Sequence, residues 1–282
     1  MDYLHNLVKN NQIDELEKEL KKTKFNLNNI DEYENTLLHY ACKNWRPEIV
    51  ELLLATFEIN LNASNDAGYT PLHYACENGY LKIVEILIKY SNIDINKSTN
   101  GGRTPLHDAC LYGYFEIVQL LIKDPRIKIN ILDNQDMTPF YDACLTGCKR
   151  IIQLLLNQPN ININTLDSIN RTYFDLICYH NHIEIIKLLI NNPRFDINIH
   201  FNNYITSFHD VCVKSNVDVI HLFLSSNRKF DFQKQTIERY YCYSPGITGF
   251  EILKNKNINF NEIKKIKYQI IKNYYFRLLM ES

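Results

Sequence analysis

His39, His73, His107 and His209 each stand three residues before a cysteine, namely Cys42, Cys76, Cys110 and Cys212. On a helix that step puts both side chains on one side, and imidazole with thiolate is a zinc-ligand chemistry. Zinc, however, needs about three or four ligands converging on one point, and these pairs are strung along the chain, so no metal is assigned. Asp108, Asp142 and Asp210 share one recurrent position, and paired carboxylates can exchange protons with a substrate. The same position holds Tyr40 and Tyr74, and a row that alternates Tyr and Asp reads as a contact surface. No Ser/His/Asp or Cys/His set is placed by spacing, and Gly101 and Gly102 lack the strand and helix that a phosphate loop requires. No catalytic residue and no cofactor is assigned, and the chain is expected not to be an enzyme.

The elements that carry these residues repeat. Thr36 begins TLLHYAC, Thr70 TPLHYAC, Thr104 TPLHDAC, Thr138 TPFYDAC, Thr172 TYFDLIC and Thr206 TSFHDVC, at one constant interval. A period of about 34 residues means one supersecondary unit stacked many times. Thr70 suits an N-cap and Pro71 a first helical position. Leu72, Ala75 and Cys76 then share a short helix face, and Gly79 supplies the positive φ of a turn. A second helix carries Ile83, Val84, Ile86, Leu87 and Ile88, with Lys82, Glu85 and Lys89 on its polar face. A polar loop with a short extended finger follows from Ser91 to Arg103, broken only by Ile93 and Ile95.

The unit resembles an ankyrin repeat, whose signature is TPLHxA, a Gly turn and an IVxLLL-type helix. Tetratricopeptide units share this period, but they lack the long polar loop seen here. The resemblance implies an all-α solenoid of helix-turn-helix units with finger loops. Pro125, Pro159 and Pro193 stop the second helix where the family often uses Gly. Residues 1–35 are an N-terminal capping repeat with a charged second helix. Six repeats follow at 36–69, 70–103, 104–137, 138–171, 172–205 and 206–235, and residues 236–282 are a degenerate seventh repeat with a basic capping helix. Trp45, Asn181 and Ser215 occupy the turn-Gly position, and Trp45 predicts an altered turn. The unit at Thr172 also loses the motif Pro and His.

The chain has 282 residues, 45% of them hydrophobic, and a net charge of −1, which argues against bulk nucleic-acid binding. No apolar run reaches the ~18 residues that span a bilayer, so a cytoplasmic protein away from membranes is expected. Six of the eight cysteines are in phase, at Cys42, Cys76, Cys110, Cys144, Cys178 and Cys212, and read as small buried thiols. Cys148 and Cys242 are off phase and expected to be more accessible. Asn28, Asn62, Asn96, Asn130, Asn164 and Asn198 are also in phase, and their amides are expected to bond local backbone at the finger base.

The resemblance implies that partners bind the fingertips and the exposed side of the first helix. Carried over by register, the candidate partner-binding residues are Tyr69, Tyr74, Arg103, Asp108, Tyr112, Gln135, Met137, Asp142 and Arg171. Tyr33, Tyr40, Lys43, Asn44, Ala67, Glu77 and Asn78 fall in the same rows. The expected function is a scaffold or adaptor that binds another protein, through a basic or mixed-charge segment, in the groove of the units from Thr70 to Arg171. The alternative is a substrate-recognition subunit of a ubiquitin ligase or other enzyme complex, with the tail as the docking piece.

Overall fold

Four repeats start from a threonine N-cap, at Thr36, Thr70, Thr104 and Thr138. In the computed structural model, Thr70 caps α5 (Pro71–Glu77): its hydroxyl accepts from the His73 N–H, and Pro71 takes the first turn, where no N–H is needed. The chain then reverses at Gly79, with φ +75°, into α6 (Leu81–Leu87). Ile83, Val84, Ile86 and Leu87 of α6 are buried, as are Ile93 and Ile95 in the extended segment that follows. The structure describes residues 2–22, 28–55, 59–169, 172–197, 200–201 and 205–206, together with Val219 and Leu222. The expected repeat at 206–235 and the tail at 236–282 lie almost wholly outside them.

The described chain forms two compact units, Met1–Ile161 and Asn162–Ser282. In the first, helix pairs recur in order: α1 (Asp2–Lys9) and α2 (Ile13–Lys22), α3 (Leu37–Lys43) and α4 (Pro47–Leu54), α5 and α6, α7 (Pro105–Leu111) and α8 (Phe115–Lys123), α9 (Pro139–Thr146) and α10 (Lys149–Leu156). First helices stack on first helices, α1 through α3, α5 and α7 to α9, and second helices stack likewise. The core between the layers is made of Leu38, Ile49, Leu53, Leu72, Val84, Leu106, Val118 and their counterparts. Burying each such side chain contributes about 1.5–3 kcal/mol.

In the described helix pairs the turn between the helices has one geometry. Trp45 sits at φ +52° where Gly79, Gly113 and Gly147 sit at +75°, +77° and +67°. The altered turn expected at Trp45 does not occur; the tryptophan adopts the left-handed conformation, with its ring 58% exposed. Asn11 does the same in the first pair at +58°, and Asn181 in the second unit at +57°.

The in-phase asparagines Asn28, Asn62, Asn96, Asn130 and Asn164 bond forward by one repeat where local bonds were expected, and Asn198 lies outside the described residues. Asn62 Nδ2 donates to Asn92 O at 2.8 Å, Asn96 Nδ2 to Arg126 O at 2.8 Å and Asn130 Nδ2 to Asn160 O at 2.7 Å. Their amide oxygens accept in return, as from Asp94 N to Asn62 at 2.7 Å and from Lys128 N to Asn96 at 2.8 Å. Cys42, Cys76, Cys110, Cys144 and Cys178 are buried free thiols, and Cys148 is half-buried.

In the second unit, α11 (Tyr173–Tyr179) and α12 (Ile183–Ile190) form a further pair. Tyr173 takes the place of the usual Pro, and its hydroxyl donates to Ile163 O at 2.5 Å. Phe174 stacks against Phe195 at 4.7 Å, and β1 (His200–Phe201) pairs antiparallel with β2 (Ile205–Thr206). No helix among the described residues is long and apolar enough to cross a membrane.

Candidate functional site

The fingers are held by two devices in phase with the repeat. The first is a polar side chain at Asp31, Asn65, Thr99 and Asp133. Asp31 Oδ1 accepts from the N–H groups of Tyr33 and Asn35 at 2.9 and 2.8 Å, Asn65 Oδ1 from those of Ala67 and Tyr69 at 3.1 and 2.8 Å, and Asp133 Oδ1 from those of Gln135 and Met137 at 2.8 and 2.9 Å. This folds each fingertip. It has the phase of the Thr motif, but Asp, Asn and Thr share the role, and that change of residue type hides the repeat in the sequence.

The second device is the motif histidine. The Thr36, Thr70 and Thr104 N–H groups donate to Nδ1 of His39, His73 and His107 at 3.0, 3.1 and 3.0 Å. Nδ1 therefore carries the lone pair and the ring proton sits on Nε2, which donates to Tyr69 O, Arg103 O and Met137 O of the next finger at 3.0, 3.1 and 3.1 Å. Burial pushes these three imidazoles down to about 4. Both ring nitrogens are spent on joining helix to finger. Among the described residues, no group of His, Cys, Asp and Glu is arranged to hold a metal ion.

Between fingers and first helices lies a groove of about 1010 Å³. Tyr33, Tyr40, Tyr69, Tyr74, Tyr112 and Tyr114 line it, with Lys9, Lys43, Asp66 and Glu77 as its charged groups. The fingers pin two of the rings: Tyr40 Oη donates to Asp31 at 2.5 Å, and Tyr74 Oη accepts from Asn65 Nδ2 at 3.0 Å. Tyr69 packs on Tyr74 with centroids 5.4 Å apart, and Tyr112 stacks on Tyr114 at 6.3 Å. The Lys9 ammonium lies 4.4 Å above the Tyr40 ring and that of Lys43 5.0 Å above Tyr74. Aromatic faces with pinned hydroxyls give large contact area at low ordering cost.

Tyr69, Tyr74 and Tyr112 thus lie in the groove. Arg103, Asp108 and Asp142 do not line it. Arg103 Nε lies 3.3 Å from Asp108 Oδ1, Nη1 3.4 Å from Asp133 Oδ2 and Nη2 3.0 Å from Asp142 Oδ2. The carboxylates are buried beneath the guanidinium, so the outward acidic row expected at Asp108 and Asp142 is corrected. Burial pushes both of their carboxyl groups up to about 7, against the opposing pull of Arg103. Gln135 is exposed and Met137 half-buried on the finger beyond the groove, and Arg171 lies outside the described residues. The groove runs from Lys9 to Tyr114 where Thr70 to Arg171 was expected, a shift of nearly two repeats towards the N-terminus. Lys9, Asp66 and Tyr114 were missed, although Lys9 stands one period before Lys43 and Tyr114 one period after Tyr80.

The ankyrin repeat domain of Bcl-3, described as a unique member of the IkappaB protein family, is similar in fold. It superposes with a TM-score of 0.68 at 21% identity, over 78% of this chain and 96% of that one. No curated protein matches in sequence. A family model for ankyrin repeats (3 copies) matches residues 4–99 and 91–167, more than half of the chain. With its in-phase TPLH helices, His-locked fingers and this match, the chain belongs to the ankyrin-repeat family.

Proposed function

We propose that the tyrosine-lined groove binds an extended segment of another protein, and that the chain works as a non-enzymatic scaffold or adaptor in the cytoplasm. Ankyrin repeats are in general protein-interaction modules. The observation that carries the reading is the gathering of six tyrosines in one groove, with Tyr33 and Tyr112 at least half exposed. Tyrosine and arginine are the side chains most enriched where interfaces concentrate their energy. The buried free thiols support a reducing setting.

The test is to isolate a partner by pull-down and measure its binding by calorimetry. Tyr33→Ala and Tyr112→Ala should each weaken binding by about 1–2 kcal/mol while leaving the melting temperature unchanged. Leu87→Ala, at a fully buried position, should instead lower stability by about 2–5 kcal/mol. Full binding by both tyrosine variants would move the site to another face.

A further inference from the structure

Lys9, Lys43, Glu77 and Leu111 are the last residues of α1, α3, α5 and α7, each one repeat period from the next. The first three line the groove, and the charge changes sign along them. Lys9 and Lys43 lie on tyrosine faces, Glu77 follows one repeat on, and Asp66 lines the groove from a finger. None of these four takes part in an ion pair with another described residue. Glu77 accepts only a long bond, 3.5 Å, from the Tyr112 hydroxyl. Arg103 is drawn onto Asp108, Asp133 and Asp142, whose carboxyl groups are buried, and none of the four lines the groove. The groove therefore presents two cations and then two anions to whatever lies in it.

We propose that the groove selects an extended peptide of mixed charge, with two acidic side chains about three residues apart over Lys9 and Lys43 and a basic side chain about three residues further on, facing Asp66 and Glu77. The inference rests on the groove being the partner site. The spacing follows from geometry: neighbouring helices pack about 8–10 Å apart, and an extended chain advances about 3.3 Å per residue, so one repeat matches about three residues. Each ammonium rests on a ring face, which holds the long side chain in place and leaves its outer side for a carboxylate. Charges of both signs fix the register of the bound segment and reject segments that carry one sign alone.

The experiment selects a displayed library of random peptides of about twelve residues on the full chain, then measures the enriched sequence as a synthetic peptide. Enrichment of acidic–x–x–acidic–x–x–basic, in either chain direction, is expected. Lys9→Glu with Lys43→Glu should weaken that peptide about tenfold or more, and exchanging its two acidic residues for lysine should restore binding to the variant. Both lysines are exposed, and an unchanged melting curve verifies folding. Enriched peptides that lose affinity with Tyr112→Ala, yet show no charge pattern or ignore the lysine reversal, overturn the charge selection and leave the groove standing. Peptides indifferent to the tyrosine and lysine variants alike, or no enrichment over a bare surface, overturn both readings.

Discussion

Arg103 Nη2 lies 3.0 Å from Asp142 Oδ2 and joins a finger to a helix 39 residues away. The same guanidinium also holds Asp108 and Asp133, so one cation serves three buried carboxylates. Breaking such a cluster from the cationic side leaves charges with no partner and costs about 3–5 kcal/mol. Arg103→Met should therefore lower the urea midpoint strongly at pH 8. The loss should shrink at pH 5, where Asp108 and Asp142 take up protons, and adding Asp108→Asn and Asp142→Asn should relieve it. An unchanged midpoint at pH 8 would mean that Arg103 does not hold the finger to the helices and is free for a partner.

The stability of the repeats should peak near neutral pH. In the fold Asp108 and Asp142 titrate at about 7 against an ordinary 3.8, because burial outweighs Arg103. The folded chain thus keeps two protons that the unfolded chain releases, and stability falls as pH rises through 7. His39, His73 and His107 titrate at about 4 against 6.5, through burial. As pH drops below 6.5 the unfolded chain takes up three protons that the fold refuses. Three outweigh two, so stability also falls on the acid side. Melting temperatures from pH 5 to 8.5 should pass through a maximum at about 6–7. A steady rise across the range would deny the carboxylate shift, and a steady decline would deny the imidazole shift.

Phase alone disclosed the helices. The Thr caps, the Pro starts and the second-helix apolar face stand where the sequence puts them, because each depends on neighbours within a few residues. The groove was legible in part. Tyr74 and Tyr112 follow from register, but Lys9 lies in a unit without the Thr motif that marks the groove positions. The burial of Asp108 and Asp142 was not legible. A helix position that carries a groove tyrosine in α3 and α5 carries in α7 and α9 an aspartate turned to an arginine from a preceding finger, and nothing local to the aspartates announces it. The phase of the asparagines is plain in the sequence, but a partner 30 residues ahead looks the same there as a local one.

Two turn positions test backbone strain with opposite signs. Trp45 holds φ +52° with its ring largely in solvent. A bulky side chain there costs about 1–2 kcal/mol, so Trp45→Gly should raise the melting temperature. Gly68 holds φ +81°, and a Cβ there would stand 2.4 Å from Asn100 N in the next finger. Gly68→Ala should thus lower stability by more than the strain at Trp45, because the clash is with backbone. Equal and small effects in both variants, measured by thermal melts, would show that these turns relax freely.

Asn96 ties two repeats together at both ends of its amide. Nδ2 donates to Arg126 O and Oδ1 accepts from Lys128 N, each at 2.8 Å. In a stacked array the interface between units is a separate contribution to stability, and two half-exposed hydrogen bonds are worth about 1–3 kcal/mol together. Asn96→Ala should remove both and lower stability by that amount. Asn96→Asp keeps an acceptor for Lys128 but loses the donor and sets a carboxylate against the Arg126 carbonyl, so its overall cost should be similar. Hydrogen exchange separates the two bonds: the Lys128 amide should stay protected in the native chain and in Asn96→Asp, and exchange much faster in Asn96→Ala. Equal protection of Lys128 in all three would mean that the ladder follows from the stacking and does not hold it.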